Sequence, residues 1–239
     1  MKTPDLSSPF RMAIPFGLLE DTFTITPEPE APRNQLEVKQ FFAYRCRLPL
    51  TAICLLSGLG LALLSSPRII PGSVLNDRLI GAAYALLFLG VLLRIWSIAY
   101  IHSRKTIAVV TTGPYSLCRN PLYLGTLMIV TAHLMIVQSI TLAAFFLPIV
   151  LLYIWGVVPA EEAVLRSRHG AIYDAYCTRV SRWLPMFSPQ AFARNPFSWS
   201  PAVRRELECA GWWLLTALAT HLVCSYRMAA WWQHPFMWP

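Results

Sequence analysis

The stretch TTGPYSLCRNPLYLGTLMIVTAHLMIVQSITLAAFFLPIVLLYIWGVVP, residues 111–159, decides the fold. From Pro121 to Pro159 it holds no Asp, Glu, Lys or Arg, and its one histidine is His133. A bilayer crossing takes about 20 apolar residues, so the run is long enough for two. Gln138-Ser139 is the polar break between them, which predicts a tight helical hairpin with its tip on the membrane face opposite residues 111–125. In lipid the backbone groups of each crossing must pair internally, which favours helices, and the short alternating segments of a barrel strand are absent.

Composition agrees with this reading over the whole chain. Of 239 residues, 56% are hydrophobic and 13% charged, and the mean hydropathy is +0.48. Soluble domains carry about 25% charged residues, so the class is an all-α integral membrane protein. About five spanning helices are expected, over 48–66, 79–101, 121–138, 139–158 and 210–231. The first forty residues contain six prolines with acids between them, the composition of a flexible tail and not of a signal peptide. The domain layout is therefore a tail over 1–40, a helical membrane domain over 41–231 and a short tail over 232–239.

The net charge of +8 arises from 17 Arg and three Lys against 12 acids, and its placement is informative. Arg45 and Arg47 precede the first span, Arg104, Lys105 and Arg119 lie between the second and third, and seven arginines from Arg166 to Arg205 lie between the fourth and fifth. Only Arg68 and Arg78 fall in the opposite loop, so the positive-inside tendency puts the amino terminus and residues 111–125 on the cytoplasmic side. These charges line membrane edges and form no soluble basic stripe, which argues against nucleic-acid binding. Six scattered cysteines and five scattered histidines suggest neither a disulfide framework nor a metal site.

Residues 111–125 carry more chemistry than a membrane edge requires. Gly113-Pro114 marks a turn, Asn120-Pro121 is a helix start with Asn as N-cap and Pro in the first turn, and Arg119 stands just before it. A helix start and a guanidinium attract an anion, while Tyr115 and Tyr123 offer aromatic faces and hydroxyls. The same residues would also serve as interfacial anchors, and spacing alone does not separate the two readings. Downstream, Glu161-Glu162 open EEAVLRSRHGAIYDAYCTRVSRWLP, an amphipathic helix with Tyr173 and Tyr176 on its apolar face and acids at its amino end. Adjacent acids at the end of a membrane span need partners or water. Arg94, inside the second span, is equally expensive there, which marks it as paired, snorkelling or substrate-facing. Single histidines within spans, His133 and His221, are expected in interhelical hydrogen bonds, and the tryptophans flanking the last span, Trp212 and Trp213 among them, as interface anchors.

Together these segments resemble the membrane-embedded methyltransferases that include isoprenylcysteine carboxyl methyltransferases and phospholipid methyltransferases. The resemblance rests on Gly113-Pro114-Tyr115, on Arg119-Asn120-Pro121-Leu122-Tyr123-Leu124-Gly125, on Glu161-Glu162, and on Leu165, Gly170, Tyr173, Tyr176, Arg182 and Pro185, over a core of 94–185. The chain departs from the pattern at Asn120, where His is usual, at His169, where an aromatic is usual, and at Val157, where the isoprenylcysteine enzymes carry Arg.

The resemblance implies a pocket for S-adenosyl-L-methionine at the cytoplasmic membrane face, capped by the helix after Glu161. Its cofactor-binding residues would be Gly113, Tyr115, Asn120, Pro121, Tyr123, Glu161, Glu162, Tyr173 and Tyr176, with Arg94 and Arg119 catalytic. Glu161, with Glu162 close by, would hold the ammonium, and Arg119 the carboxylate. The methyl acceptor would be a membrane-resident lipid or lipid-like molecule. The rival readings are a lipid reductase using a nicotinamide cofactor, a silent scaffold of the same fold, and a small transporter. No broken-helix pair supports the transporter.

Overall fold

The computed structural model describes residues 73–101, 109–192 and 200–226, with scattered positions between 41 and 57. These residues are almost entirely helical. Helix α1 (Val74–Ile101) is followed by a short turn α2 (Pro114–Leu117), α3 (Pro121–Val137) and α4 (Ile140–Leu152), then a π-turn (Tyr153–Val157), α5 (Val158–His169), α6 (Ala171–Arg179) and α7 (Pro201–Tyr226). Three helical runs, Val74–Ile101, Ile140–His169 and Pro201–Ser225, are long and apolar enough to cross a bilayer. The 17 residues of α3 rise about 25 Å, slightly less than the ~30 Å hydrocarbon layer. Of the span expected over 48–66, helical positions occur at 49, 50, 53, 54 and 57; the remainder, like both expected tails, lies outside the described residues.

The hairpin between α3 and α4 falls where the polar break predicts. Gln138 closes α3 in the left-handed conformation (φ 53°), and the Ser139 hydroxyl caps α4 by accepting from the Leu142 amide. The Gln138 side chain donates to Asn76 at 2.8 Å, so the hairpin tip sits beside the start of α1, at the opposite end of the bundle from residues 111–125.

Two helices begin earlier than their apolar runs. Helix α1 starts at Val74 and not at 79, because Ser73 accepts the Asn76 amide and Asp77 lies in the first turn. Helix α7 starts at Pro201 and not at 210: the Ser200 hydroxyl caps it, and the charged residues 204–208 are good helix formers that extend it beyond the apolar segment.

The core is the three-helix contact of α1, α3 and α7. Ala83, Leu87 and Val91 pack on Ile129, Ala132 and Ile136, and Ala210 and Ala217 close the third side. Close approach of α1 and α3 depends on two facing glycines. A Cβ on Gly125 would stand 2.8 Å from the Gly90 carbonyl oxygen, and one on Gly90 would meet the Gly125 oxygen at the same distance. With lipid outside, small residues of this kind let packing replace the hydrophobic effect between helices.

Helix α7 is also fastened by polar contacts. Glu206 pairs with Arg94, His133 lies 3.3 Å from the Thr216 hydroxyl, and His221 meets the Tyr84 hydroxyl at 2.9 Å. Both histidines thus make the interhelical contacts expected of them. Trp213, expected as an interface anchor, instead packs edge-on to His133 within the bundle, because its position on α7 faces α3.

Candidate active site

Residues 111–125 form a rigid shelf whose conformation is held from two sides. Gly113 adopts φ +64°, and a Cβ there would clash with the Tyr100 ring at 2.2 Å, so only glycine fits. The segment after α6 straps the shelf through backbone bonds: Arg119 N–H donates to Ser181, Met186 N–H to Leu117 and Gly113 N–H to Gln190. The Tyr176 hydroxyl adds a fourth tie, donating to the Tyr115 carbonyl at 2.7 Å. Pro121 occupies the first helical position of α3, as expected.

Glu161 and Glu162 reach the shelf from a helix that does not begin at them. Ile140–His169 is one continuous 30-residue helix, so the acids lie inside it and do not stabilise a helix start. Pro159 cannot donate to the preceding turn, and the helix widens into the π-turn just ahead of it. The amphipathic helix expected after Glu161 is in fact two. It breaks at Gly170, whose φ of +49° suits glycine, and α6 then folds Tyr173 and Tyr176 back over the shelf.

The two acids have different surroundings. Glu162 is 3% exposed and its charge is consumed internally. Arg182 binds both of its oxygens, with Nη2 to Oε2 at 2.7 Å, and Asn120 Nδ2 donates to Oε1 at 3.1 Å. Arg119 Nε lies 3.5 Å from the same oxygen, close enough for ion pairing. It is too poorly aligned for a hydrogen bond, so this buried N–H is an orphan. Asn120 does not cap α3 with its side chain, contrary to expectation, because that side chain is turned inward to Glu162 and the Arg182 carbonyl. Glu161 accepts from the Tyr123 hydroxyl at 2.8 Å.

A cavity of about 110 Å³ opens between these groups. Its polar wall is Arg119, Asn120, Glu161 and Glu162, and Tyr115, Tyr123, Tyr173 and Tyr176 also line it. Ile101, Val109 and Leu165 belong to its apolar part. Burial pushes the phenols of Tyr115, Tyr173 and Tyr176 well above their ordinary range, with the Glu161 charge adding to this for Tyr115 and that of Glu162 for Tyr173. Burial also raises the Cys118 thiol to about 11. These four groups keep their protons at neutral pH and cannot serve as bases there.

Eight residues singled out in the sequence therefore meet at one cavity, although they come from segments about forty residues apart. Gly113 and Pro121 stand behind its wall as backbone supports. Arg94 is elsewhere: Nε and Nη2 grip the two oxygens of Glu206 at 2.6 and 3.1 Å, and Nη1 donates to Thr126 at 2.5 Å. Sequence reasoning missed two partners. Arg182 enters the sequence reading only through the motif, and nothing in the sequence singles out Glu206 from the charged residues around it.

Residues 79–171 match the sequence model of the phospholipid methyltransferase family. The nickel-cobalt-cadmium resistance protein NccN of Alcaligenes xylosoxydans xylosoxydans is 31% identical over 138 residues, covering 58% of this chain and 64% of the relative. The cobalt-zinc-cadmium resistance protein CzcN of Cupriavidus metallidurans is 30% identical over 124 residues, covering 51% and 56%. The chain thus spans less than two thirds of either relative's length. No solved structure matches it at a significant level.

Proposed function

We propose that this chain, whose residues 79–171 match the phospholipid methyltransferase family model, is an S-adenosyl-L-methionine-dependent methyltransferase acting on a membrane-resident lipid or lipid-like acceptor. The observation that carries the reading is the cavity itself, where an acid, a guanidinium with an orphan N–H and four tyrosines converge. The cofactor presents an ammonium, a carboxylate, a sulfonium and an adenine, and the wall offers a partner for each. Glu161 is the acid suited to the ammonium, since Glu162 is already neutralised by two arginines. Arg119, with the backbone around Asn120, suits the carboxylate. The tyrosine faces suit the sulfonium and the adenine. About 110 Å³ accommodates one end of such a molecule, against about 300–1,000 Å³ for a whole-ligand pocket, so full occupancy requires side chains at the mouth to move.

The bound cofactor would supply an electrophilic methyl group. The protein's own contribution is alignment and exclusion of water by the tyrosine cover. With Tyr115, Tyr173 and Tyr176 protonated, the cavity suits an acceptor that arrives with a free lone pair, such as a carboxylate or an uncharged amine. Arg94 enters as a positioning residue: held by Glu206, it acts on the site through Thr126, one turn from Leu122 and Tyr123 in the wall. The arginine distribution supports a cytoplasmic site.

The names of the two relatives connect those proteins with metal resistance. Among the described residues no group of three or more His, Cys, Asp or Glu could hold a metal ion. On the methyltransferase reading, a role in that setting would run through modification of a membrane component.

Equilibrium binding of S-adenosyl-L-methionine and of NADPH to the detergent-purified protein, repeated with Glu161→Gln, tests the proposal. Micromolar S-adenosyl-L-methionine binding that the substitution abolishes supports it. NADPH binding in its place supports the reductase reading, and binding of neither sinks both.

A further inference from the structure

Residues 184–192, LPMFSPQAF, carry no charge and follow directly on Arg179 and Arg182. Their backbone is fixed, with Met186 and Gln190 bonded to the shelf and Ala191 buried beneath it. Their large side chains are nevertheless mostly exposed. Leu184 is 76% exposed, Phe187 93% and Phe192 79%. A rigid segment that turns this much apolar surface outward is adapted to an apolar surrounding.

The level of the segment along the bundle identifies that surrounding. The Phe192 ring stacks on Trp96 of α1, centroids 6.3 Å apart and planes 22° from parallel. Trp96 lies five residues before the end of α1 at Ile101, about 7.5 Å along the axis. The 28 residues of α1 span about 42 Å, so a centred helix overshoots a ~30 Å hydrocarbon layer by roughly 6 Å at each end. Trp96, and with it Phe192, therefore stands at the boundary between headgroups and acyl chains. This is the level favoured by aromatic side chains. The lipid-facing side of α1, with Leu92 exposed, continues the same apolar surface toward the membrane interior.

We infer that residues 184–192 form an anchor inserted at the headgroup–acyl boundary of the bilayer. The anchor begins two residues after Arg182, which holds Glu162, so it ties the rim of the candidate site to the lipid surface. An acceptor carrying an apolar chain would meet the cavity beside this anchor. The inference rests on the reading of the long helices as membrane spans.

The test uses the full chain in phosphatidylcholine vesicles doped with a phosphatidylcholine bearing a photoactivatable diazirine in its acyl chain. Trypsin, cutting after Arg182 and Arg194, releases residues 183–194 as one peptide for mass spectrometry. Lipid adducts are expected on this peptide and on the exposed span residues Phe88, Leu92 and Trp212. Phe187→Asp is expected to lower the peptide's adduct yield several-fold while the span adducts persist. Span adducts without adducts on residues 183–194 would overturn the anchor and leave the membrane reading standing. Absence of adducts everywhere would overturn both, and cross-links from this peptide to a second copy in place of lipid would overturn the anchor.

Discussion

Among the described residues, two arginine–carboxylate sites are built on a buried acid, and they differ in stoichiometry. At the first, one arginine meets one acid: Arg94 closes on Glu206, and Thr126 takes a remaining N–H. At the second, Arg119 and Arg182 share Glu162, with Asn120 on the same carboxylate. The one-to-one pair is complete and lies outside the cavity wall, so it joins α7 to α1 and α3. The two-to-one cluster leaves an arginine with unmet capacity at a cavity that also contains Glu161. The same chemistry serves as a fastening in one place and as an incomplete binding surface in the other, and the count of charges separates the roles.

Removing the shared acid gives the largest expected effect. Glu162→Ala leaves the buried Arg119 and the partly exposed Arg182 without their counter-ion, and a loss at the low end of the buried-pair range, about 3–4 kcal/mol, is expected in thermal or SDS unfolding. Cofactor binding should vanish with it. At the fastening, Glu206→Leu should cost about 3 kcal/mol, and adding Arg94→Leu should restore most of that, because an apolar pair removes the orphaned charge. A double-mutant cycle checks this; additive losses would show that Arg94 and Glu206 are not coupled and overturn the fastening. Gly125→Ala, which brings a methyl group against the Gly90 carbonyl and the Arg94 side chain, should cost about 1–3 kcal/mol through overpacking and disturb the fastening more than the cluster.

The smallest effect is the pH response. Cys118 is raised by burial from 9.0 to about 11, so the stability it contributes is full below pH 9 and lost as pH rises through about 11. Thermal midpoints of Cys118→Ala should therefore fall less steeply than those of the wild type across that window, and parallel curves would argue against it.

Much of this architecture was legible in the sequence because lipid leaves few options. The hairpin at Gln138-Ser139 follows from a charge-free run broken at one point, the Pro121 helix start from Asn120-Pro121, and the meeting of residues 111–125 with Glu161 and Glu162 is what the family resemblance implies. Local chemistry was harder to read. Asn120 looks like a helix cap in any sequence, and only the fold shows that Glu162 competes for its amide. Gly170 does not stand out as a break in the sequence because the residues on both sides share one helical period. Glu206 sits among charges that suggest a loop; its burial depends on α7 lying against Arg94, a long-range fact that no local pattern encodes.

The π-turn at Tyr153–Val157 has a bearing on how such a chain can change over time. A π-turn holds one residue more than the α-helix it interrupts, so it sets the rotational phase of everything after it by about 100°. With that extra residue, both acids face the shelf. Regularising the turn to α-helix with all its residues kept would rotate Glu161 and Glu162 together by about 100° relative to the shelf, whereas loss of one residue between 153 and 157 would let the turn close as plain α-helix with both acids still facing it. Substitutions in the wall are local changes, but the winding of this turn is a shared constraint on Glu161 and Glu162 together.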